Sequence, residues 1–154
     1  MSYRRNYLAA DPTVCGASQI LAGGRIRTSD NPCGAWCSFP DFRDWKAAAR
    51  FSVDRALPRT DLPATQLETL RRYAAAIDGM SETMLGVGDA VRKLARIHQS
   101  ADCAALWDPV RVAPSLPTVA EIDANADNQP SIARTIETVA LLAAGAYILS
   151  KVLK

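Results

Sequence analysis

The stretch that decides the fold is Thr65–His98, TQLETLRRYAAAIDGMSETMLGVGDAVRKLARIH. Its apolar side chains recur at spacings of three or four residues, which places them on one face of an α-helix. This face consists of Leu67, Leu70, Tyr73, Ala74, Ile77, Met80, Met84, Val87, Val91, Leu94 and Ile97. Thr65–Glu68 has the form of a capping box, which predicts that the helix begins there. Glycines interrupt the run, so one long helix and two antiparallel helices broken near Gly86–Gly88 are both compatible with the pattern.

A shorter helix is predicted upstream, over Phe42–Ala56. Asp41 is a residue type that caps the free amide groups of a first turn, and Pro58 ends the helix. One apolar stripe runs along the predicted helix and contains Trp45, Ala48, Ala49, Phe51 and Ser52. Alanine is the best helix former, and 27 of the 154 residues are alanine, so the composition agrees with these assignments.

The chain divides into four predicted segments. Residues 1–40 contain glycines, turn signals and three of the four cysteines, and we expect an extended, irregular arm with a short strand near Ser18–Leu21. Residues 41–100 form the helical body, a helical hairpin or bundle. Residues 101–130 form an acidic, proline-containing connector with a short helix near 119–126, preceded by a capping box. Residues 131–154 form an apolar C-terminal helix. The predicted fold class is therefore mainly α.

The C-terminal segment is the least polar part of the sequence. Its centre, residues 138–150, contains no charged side chain. A helix that is apolar around its whole circumference is buried in protein or in lipid. Its length favours a buried helix, whereas its small residues and the lysines that follow it favour insertion in a membrane. A helix lying in the membrane interface is the third alternative. The residues expected to face lipid or a neighbouring helix are Val139, Leu142, Ala143, Gly145, Ala146, Ile148 and Leu149.

The cysteines allow three interpretations. Buried free thiols are the simplest of them. A disulfide within the arm would join Cys15 to Cys33 or to Cys37, and would require an oxidising compartment or an extracellular particle. A zinc site would need the same three cysteines with His98 or Cys103 as the fourth ligand. The Cys33-x-x-x-Cys37 spacing is not the two-residue spacing common in structural zinc sites.

The sequence offers little support for catalysis. His98 is the single histidine and ends a basic run, where a cation is favoured at the C-terminal end of a helix. No nucleophile and orienting acid are spaced to form a site with it. Asp41 and Asp44 are explained by helix capping, and no phosphate-binding loop, zinc-protease motif or nucleophile elbow is present. We therefore expect no enzyme activity, cofactor, metal or small-molecule substrate.

Charge and targeting signals limit the partners. The net charge of +2 argues against general affinity for nucleic acid. No apolar stretch of signal-peptide length follows the basic N-terminus. The favoured interpretation is a structural subunit of a larger assembly, a phage or virus virion protein that associates with other subunits, with copies of itself or with a lipid bilayer. The alternatives are a small membrane-anchored helical adaptor or regulator in a bacterial cell, and an enzyme with an unrecognised site.

Overall fold

A computed structural model of the chain describes residues 16–82 and 86–128. This part contains two strands followed by four helices, which confirms the mainly α class. In chain order they are β1 (Gln19–Ala22), β2 (Arg25–Thr28), α1 (Phe39–Ala56), α2 (Ala64–Gly79), α3 (Val87–Leu106) and α4 (Val119–Asn128). The expected helix at 131–154 and the first 15 residues of the expected arm lie outside the described residues.

The long helical pattern is two helices, α2 and α3. The backbone leaves the helical conformation at Met80, where ψ is 130°, so the first helix ends earlier than the predicted break near Gly86–Gly88. The two helices are also not a packed hairpin, because α3 makes its main contact with α1 and touches α2 only slightly. The predicted capping box at Thr65 is wrong: Pro63 occupies the N-cap position of α2, and no side chain caps that end.

Helix α1 begins three residues earlier than a cap at Asp41 would allow. Ser38 is the N-cap, and its hydroxyl accepts a hydrogen bond from the amide of Asp41. The Asp41 carboxylate in turn accepts a 3.0 Å bond from the Ser38 amide, so the two residues form a capping box. Pro40 lies in the first turn, where its missing N–H costs no helical hydrogen bond.

The core lies between α1 and α3 and is closed by α2, α4 and the hairpin. Its largest fully buried side chains include Trp45, Tyr73, Leu70, Ile77, Leu94, Ile97 and Ile122. Buried alanines stand among them on both helices, at Ala49 and Ala56 in α1 and at Ala95, Ala101 and Ala104 in α3. Because interaxial distance depends on the side chains at the contact, these small residues favour close packing of the two helices.

Residues 19–28 form a hairpin. Its first strand confirms the short strand expected near Ser18–Leu21, whereas the second strand corrects the expectation that the rest of this region is irregular. β1 and β2 pair antiparallel with Ala22 opposite Arg25. Gly23 and Gly24 form the two-residue turn, and both have positive φ, 57° and 73°, as this kind of tight hairpin connection requires. One face of the hairpin packs on the core through Ile20 and Ala22.

The connector is partly helical. α3 continues to Leu106. The chain then turns over residues 108–111 and runs without helix or strand until the predicted capping box of Thr118 and Glu121, which is confirmed and starts α4. Side chains of α2 hold the part of this connection that precedes α4. Gln66 Nε2 and Tyr73 Oη donate 2.5 Å hydrogen bonds to the carbonyl oxygens of Pro114 and Pro117, respectively. This segment is thereby fixed along α2.

We expect Tyr73 to make the protein sensitive to high pH. Burial raises the pKa of Tyr73 to about 12, and the charge of Glu121 acts in the same direction. Since this value exceeds the ordinary tyrosine pKa of about 10, the stabilisation is complete below pH 10 and is lost as the pH rises from 10 to 12. An ultraviolet absorbance titration should show one late tyrosine ionisation coupled to unfolding. The late phase should disappear in Tyr73→Phe; if it persists in that variant, the assignment is wrong.

Candidate functional site

The hairpin is fastened to the first turn of α1 by two aspartates. Asp41 is only 2% exposed, and its Oδ1 lies 3.3 Å from Nε of Arg27 on β2. Asp44 accepts a 2.8 Å hydrogen bond from the amide of Gly23 in the turn. Helix capping, the predicted role of Asp41, explains only part of its contacts, because the same carboxylate also pairs with Arg27. The two contacts fix the hairpin in position on α1.

A disulfide loop, Cys33–Cys37, continues from the hairpin to α1. The sulfur atoms of its two end residues are bonded, with their Cα atoms 4.4 Å apart. Gly34 has a φ of +64°, a conformation that residues with a side chain rarely adopt, and a Cβ there would displace the Arg27 guanidinium, so glycine is favoured. The interpretation as free thiols is therefore wrong for these two cysteines. The predicted disulfide joined Cys15 to Cys33 or to Cys37, and the observed Cys33–Cys37 bond is neither of these. Cys15 itself lies outside the described residues.

Three large apolar side chains project from the hairpin and the loop, and we call them the hairpin–loop surface. Leu21 and Ile26 are cross-strand partners on the outer face of the hairpin, and they are 60% and 74% exposed. Trp36 lies in the disulfide loop and is 81% exposed. Tryptophan is enriched among the residues that contribute most to protein–protein contacts, and aliphatic side chains contribute through the burial of their apolar area. This surface is the feature that sequence reasoning missed, although the Gly23-Gly24 pair between two short segments is a hairpin signal.

The single histidine does not lie at a helix end. His98 is in the middle of α3 and faces α1, so its predicted role at the C-terminal end of a helix is wrong. Its Nδ1 lies 2.8 Å from Ser52 Oγ and 3.1 Å from the carbonyl oxygen of Ala48, and its ring meets the edge of Trp45 at 5.7 Å. Ser52 lies on the apolar stripe of α1 and His98 beside that of α3. Because buried polar groups need hydrogen-bond partners, these positions were a signal that the two side chains would pair.

The distance between Ser52 Oγ and His98 Nδ1 is that of a catalytic serine–histidine dyad, but the other properties of the pair are not. Ser52 is 1% exposed and His98 is 7% exposed, so a substrate carbonyl has no approach to the hydroxyl in this conformation. A nucleophile must reach the reacting atom before its activation by a base matters. The geometry instead supports a structural role, in which the pair links α1 to α3 within the core.

The zinc interpretation is not supported within residues 16–82 and 86–128. No group of three or more potential ligands comes together in that part of the chain. Cys33 and Cys37 are bonded to each other, and Cys103 is also disulfide-bonded, so their sulfur atoms are not available as thiolate ligands.

The predicted lipid- or helix-facing residues, Val139 to Leu149, lie outside the described residues. Among the helices that the structure does describe, none has both the length and the apolar character needed to cross a bilayer. Comparison of the chain with protein families, characterised proteins and solved structures gave no match.

Proposed function

We propose that this protein is a non-enzymatic structural subunit of a larger assembly, a phage or virus virion component. In this proposal the hairpin–loop surface contacts a neighbouring copy, and the C-terminal segment inserts in a membrane or packs against copies of itself. The observation that carries the proposal is the exposure of Leu21, Ile26 and Trp36 on elements that are themselves firmly held.

The rigidity of the support matters as much as the exposure. A side chain on a fixed backbone loses less conformational freedom on binding than one on a free loop. Arg27–Asp41 and Gly23–Asp44 hold the hairpin on α1, and the Cys33–Cys37 bond closes the loop on itself. The hairpin–loop surface is thus preorganised for contact, as a subunit interface requires.

Two further observations agree with this proposal. The Ser52–His98 pair is enclosed in the core, which favours a structural role over hydrolysis. The uncharged residues 138–150 also need an apolar environment, which other subunits or lipid would provide.

A membrane-anchored helical adaptor is the second candidate. It is favoured by Lys151 and Lys154, which follow the uncharged segment and are residue types that reach lipid headgroups from a helix end. An adaptor of this kind needs the C-terminal segment for its location but needs no self-association through the hairpin. The two functions therefore predict different behaviour of the same variant.

The test is a double substitution, Leu21→Lys with Ile26→Lys, in the full chain. Burying either side chain contributes about 1.5–3 kcal/mol, so charged replacements should weaken association at least about tenfold. Sedimentation in mild detergent should show a defined multimer for the natural chain and smaller species for the variant, with unchanged circular dichroism. Gln19→Lys is the matched control, because Gln19 is exposed on the same face of β1. A natural chain that is monomeric would overturn the subunit proposal. A variant that assembles normally would overturn the role of the hairpin–loop surface in it.

A further inference from the structure

The Cys33–Cys37 bond has features of a reactive disulfide. It closes a loop of only five residues at the surface, between β2 and the N-cap of α1. A bond that closes so short a loop restricts the unfolded chain little, so it contributes less to stability than a long-range bond does. The structure therefore explains only weakly why this bond would be needed for folding.

The two cysteine residues differ in their exposure. Cys33 is 7% exposed and belongs to the core, whereas Cys37 is partly buried, lies with its Sγ 3.8 Å from the carbonyl oxygen of Gly88, and follows the exposed Trp36. Thiol–disulfide exchange requires a thiolate to reach one sulfur of the bond. Of the two residues, Cys37 is the one that lies closer to solvent.

Opening the bond does not remove the other contacts that hold this region. Trp45 Nε1 still donates its 3.0 Å hydrogen bond to the carbonyl oxygen of Pro32, just before the loop. Arg27 and Asp41 still join β2 to α1. The loop can therefore open while the hairpin, α1 and the core remain in place.

We propose that Cys33–Cys37 is a thiol–disulfide exchange site of the folded protein, with low-molecular-weight thiols such as glutathione as its co-reactant. The inference concerns the same loop that carries Trp36 of the hairpin–loop surface, but its test does not require self-association of the chain. A thiolate attacks Cys37 Sγ, a mixed disulfide forms, and the electron pair of the broken bond leaves with Cys33 Sγ, which takes a proton from solvent. A second thiolate attacks the bound thiol and releases the oxidised small disulfide and Cys37, which is protonated in turn. Two small thiols are oxidised, and one protein disulfide is reduced.

Reclosure follows from the same geometry. The fold holds the two Cα atoms 4.4 Å apart, within the range that a disulfide spans. In the natural chain the mixed disulfide at Cys37 is therefore short-lived, because Cys33 lies ready to displace the bound thiol. Removing Cys33 should trap the adduct.

The experiment equilibrates the full chain in native buffers of increasing ratio of reduced to oxidised glutathione, followed by alkylation and peptide mass spectrometry. We expect Cys33 and Cys37 to become alkylated together while Cys103 stays oxidised and circular dichroism stays constant. Opening of the bond only with loss of the folded spectrum, or only together with the Cys103 bond, would overturn the proposal.

A matched pair of variants tests the point of entry. With oxidised glutathione, Cys33→Ser should form the mixed disulfide at Cys37 at least about tenfold faster than Cys37→Ser forms it at buried Cys33. Circular dichroism confirms that both variants are folded. Equal rates in two folded variants would contradict entry at Cys37. If either variant fails to fold, the titration of the natural chain decides the proposal alone.

Discussion

Replacing Trp45 with alanine should lower the free energy of unfolding by about 3–5 kcal/mol, the range for removal of a fully buried large aromatic side chain. Trp45 is 0% exposed and is the largest fully buried side chain in the described residues. It lies where the disulfide loop, α1 and α3 meet. Its loss leaves a cavity that fixed helices on either side cannot fill.

The indole nitrogen adds a directional contribution. Nε1 donates to the carbonyl oxygen of Pro32, a buried residue at the entrance of the loop. Trp45→Phe keeps most of the volume but leaves that carbonyl without its donor, which should cost about 1–3 kcal/mol. Small domains have a free energy of unfolding of only about 5–15 kcal/mol, so Trp45→Ala can leave the protein largely unfolded. Trp45→Phe then remains measurable, because its expected loss is smaller.

Chemical denaturation of both variants measures these losses. Trp36→Ala is the matched control, because Trp36 is the same residue type nine positions away and is 81% exposed. We expect Trp36→Ala to change the free energy of unfolding by less than about 0.5 kcal/mol. Comparable losses for Trp45→Ala and Trp36→Ala would show that Trp45 is not at the centre of the core.

Asp41→Ala should cause a loss of similar size, about 3–5 kcal/mol. Removing one partner of a buried ion pair leaves the other charge unpaired, and this is the main part of the cost. Arg27 is only 15% exposed on its side chain, so water compensates it poorly. The substitution also removes the capping-box carboxylate that accepts from Ser38 at the start of α1.

A double-mutant cycle with Arg27→Met separates the two contributions. If the ion pair dominates, Arg27→Met should make the Asp41 substitution less costly, and the remaining cost measures the capping box. Asp54→Ala is the control for a surface pair, since Asp54 is 52% exposed beside Arg50 and should contribute at most about 1 kcal/mol. An Asp41→Ala variant as stable as Asp54→Ala would show that the buried Arg27–Asp41 ion pair does not stabilise the fold.

Local signals in the sequence predicted which helices form better than they predicted how those helices pack together. The first helix, the second capping box and the helical character of the long pattern all follow from neighbours within four residues. The capping box at Thr65 failed because Pro63, with its fixed φ, already sets the start of α2. The helix ends at Met80 and not near Gly86–Gly88, as predicted, because glycines weaken a helix without determining where it ends.

Long-range pairings were beyond the sequence. Nothing in the periodicity of α3 indicates that its apolar face meets α1 rather than α2. Disulfide connectivity cannot be deduced from cysteine spacing, which is why Cys33–Cys37 was not foreseen. The hairpin–loop surface was missed because each strand has only four residues, too few for the period-two pattern of a strand to show in the sequence. The C-terminal site residues stay a prediction.

The packing of α1 on α3 has a consequence for the protein during its synthesis. Trp45 and Ile97 belong to the same core but are about 50 residues apart in the chain. At about 5–20 residues per second, the ribosome needs roughly 3–10 seconds to make the second after the first. Through that interval the apolar stripe of α1 has no partner from α3. The nascent chain is thus most exposed to wrong association, or to chaperones, before residue 106 is made.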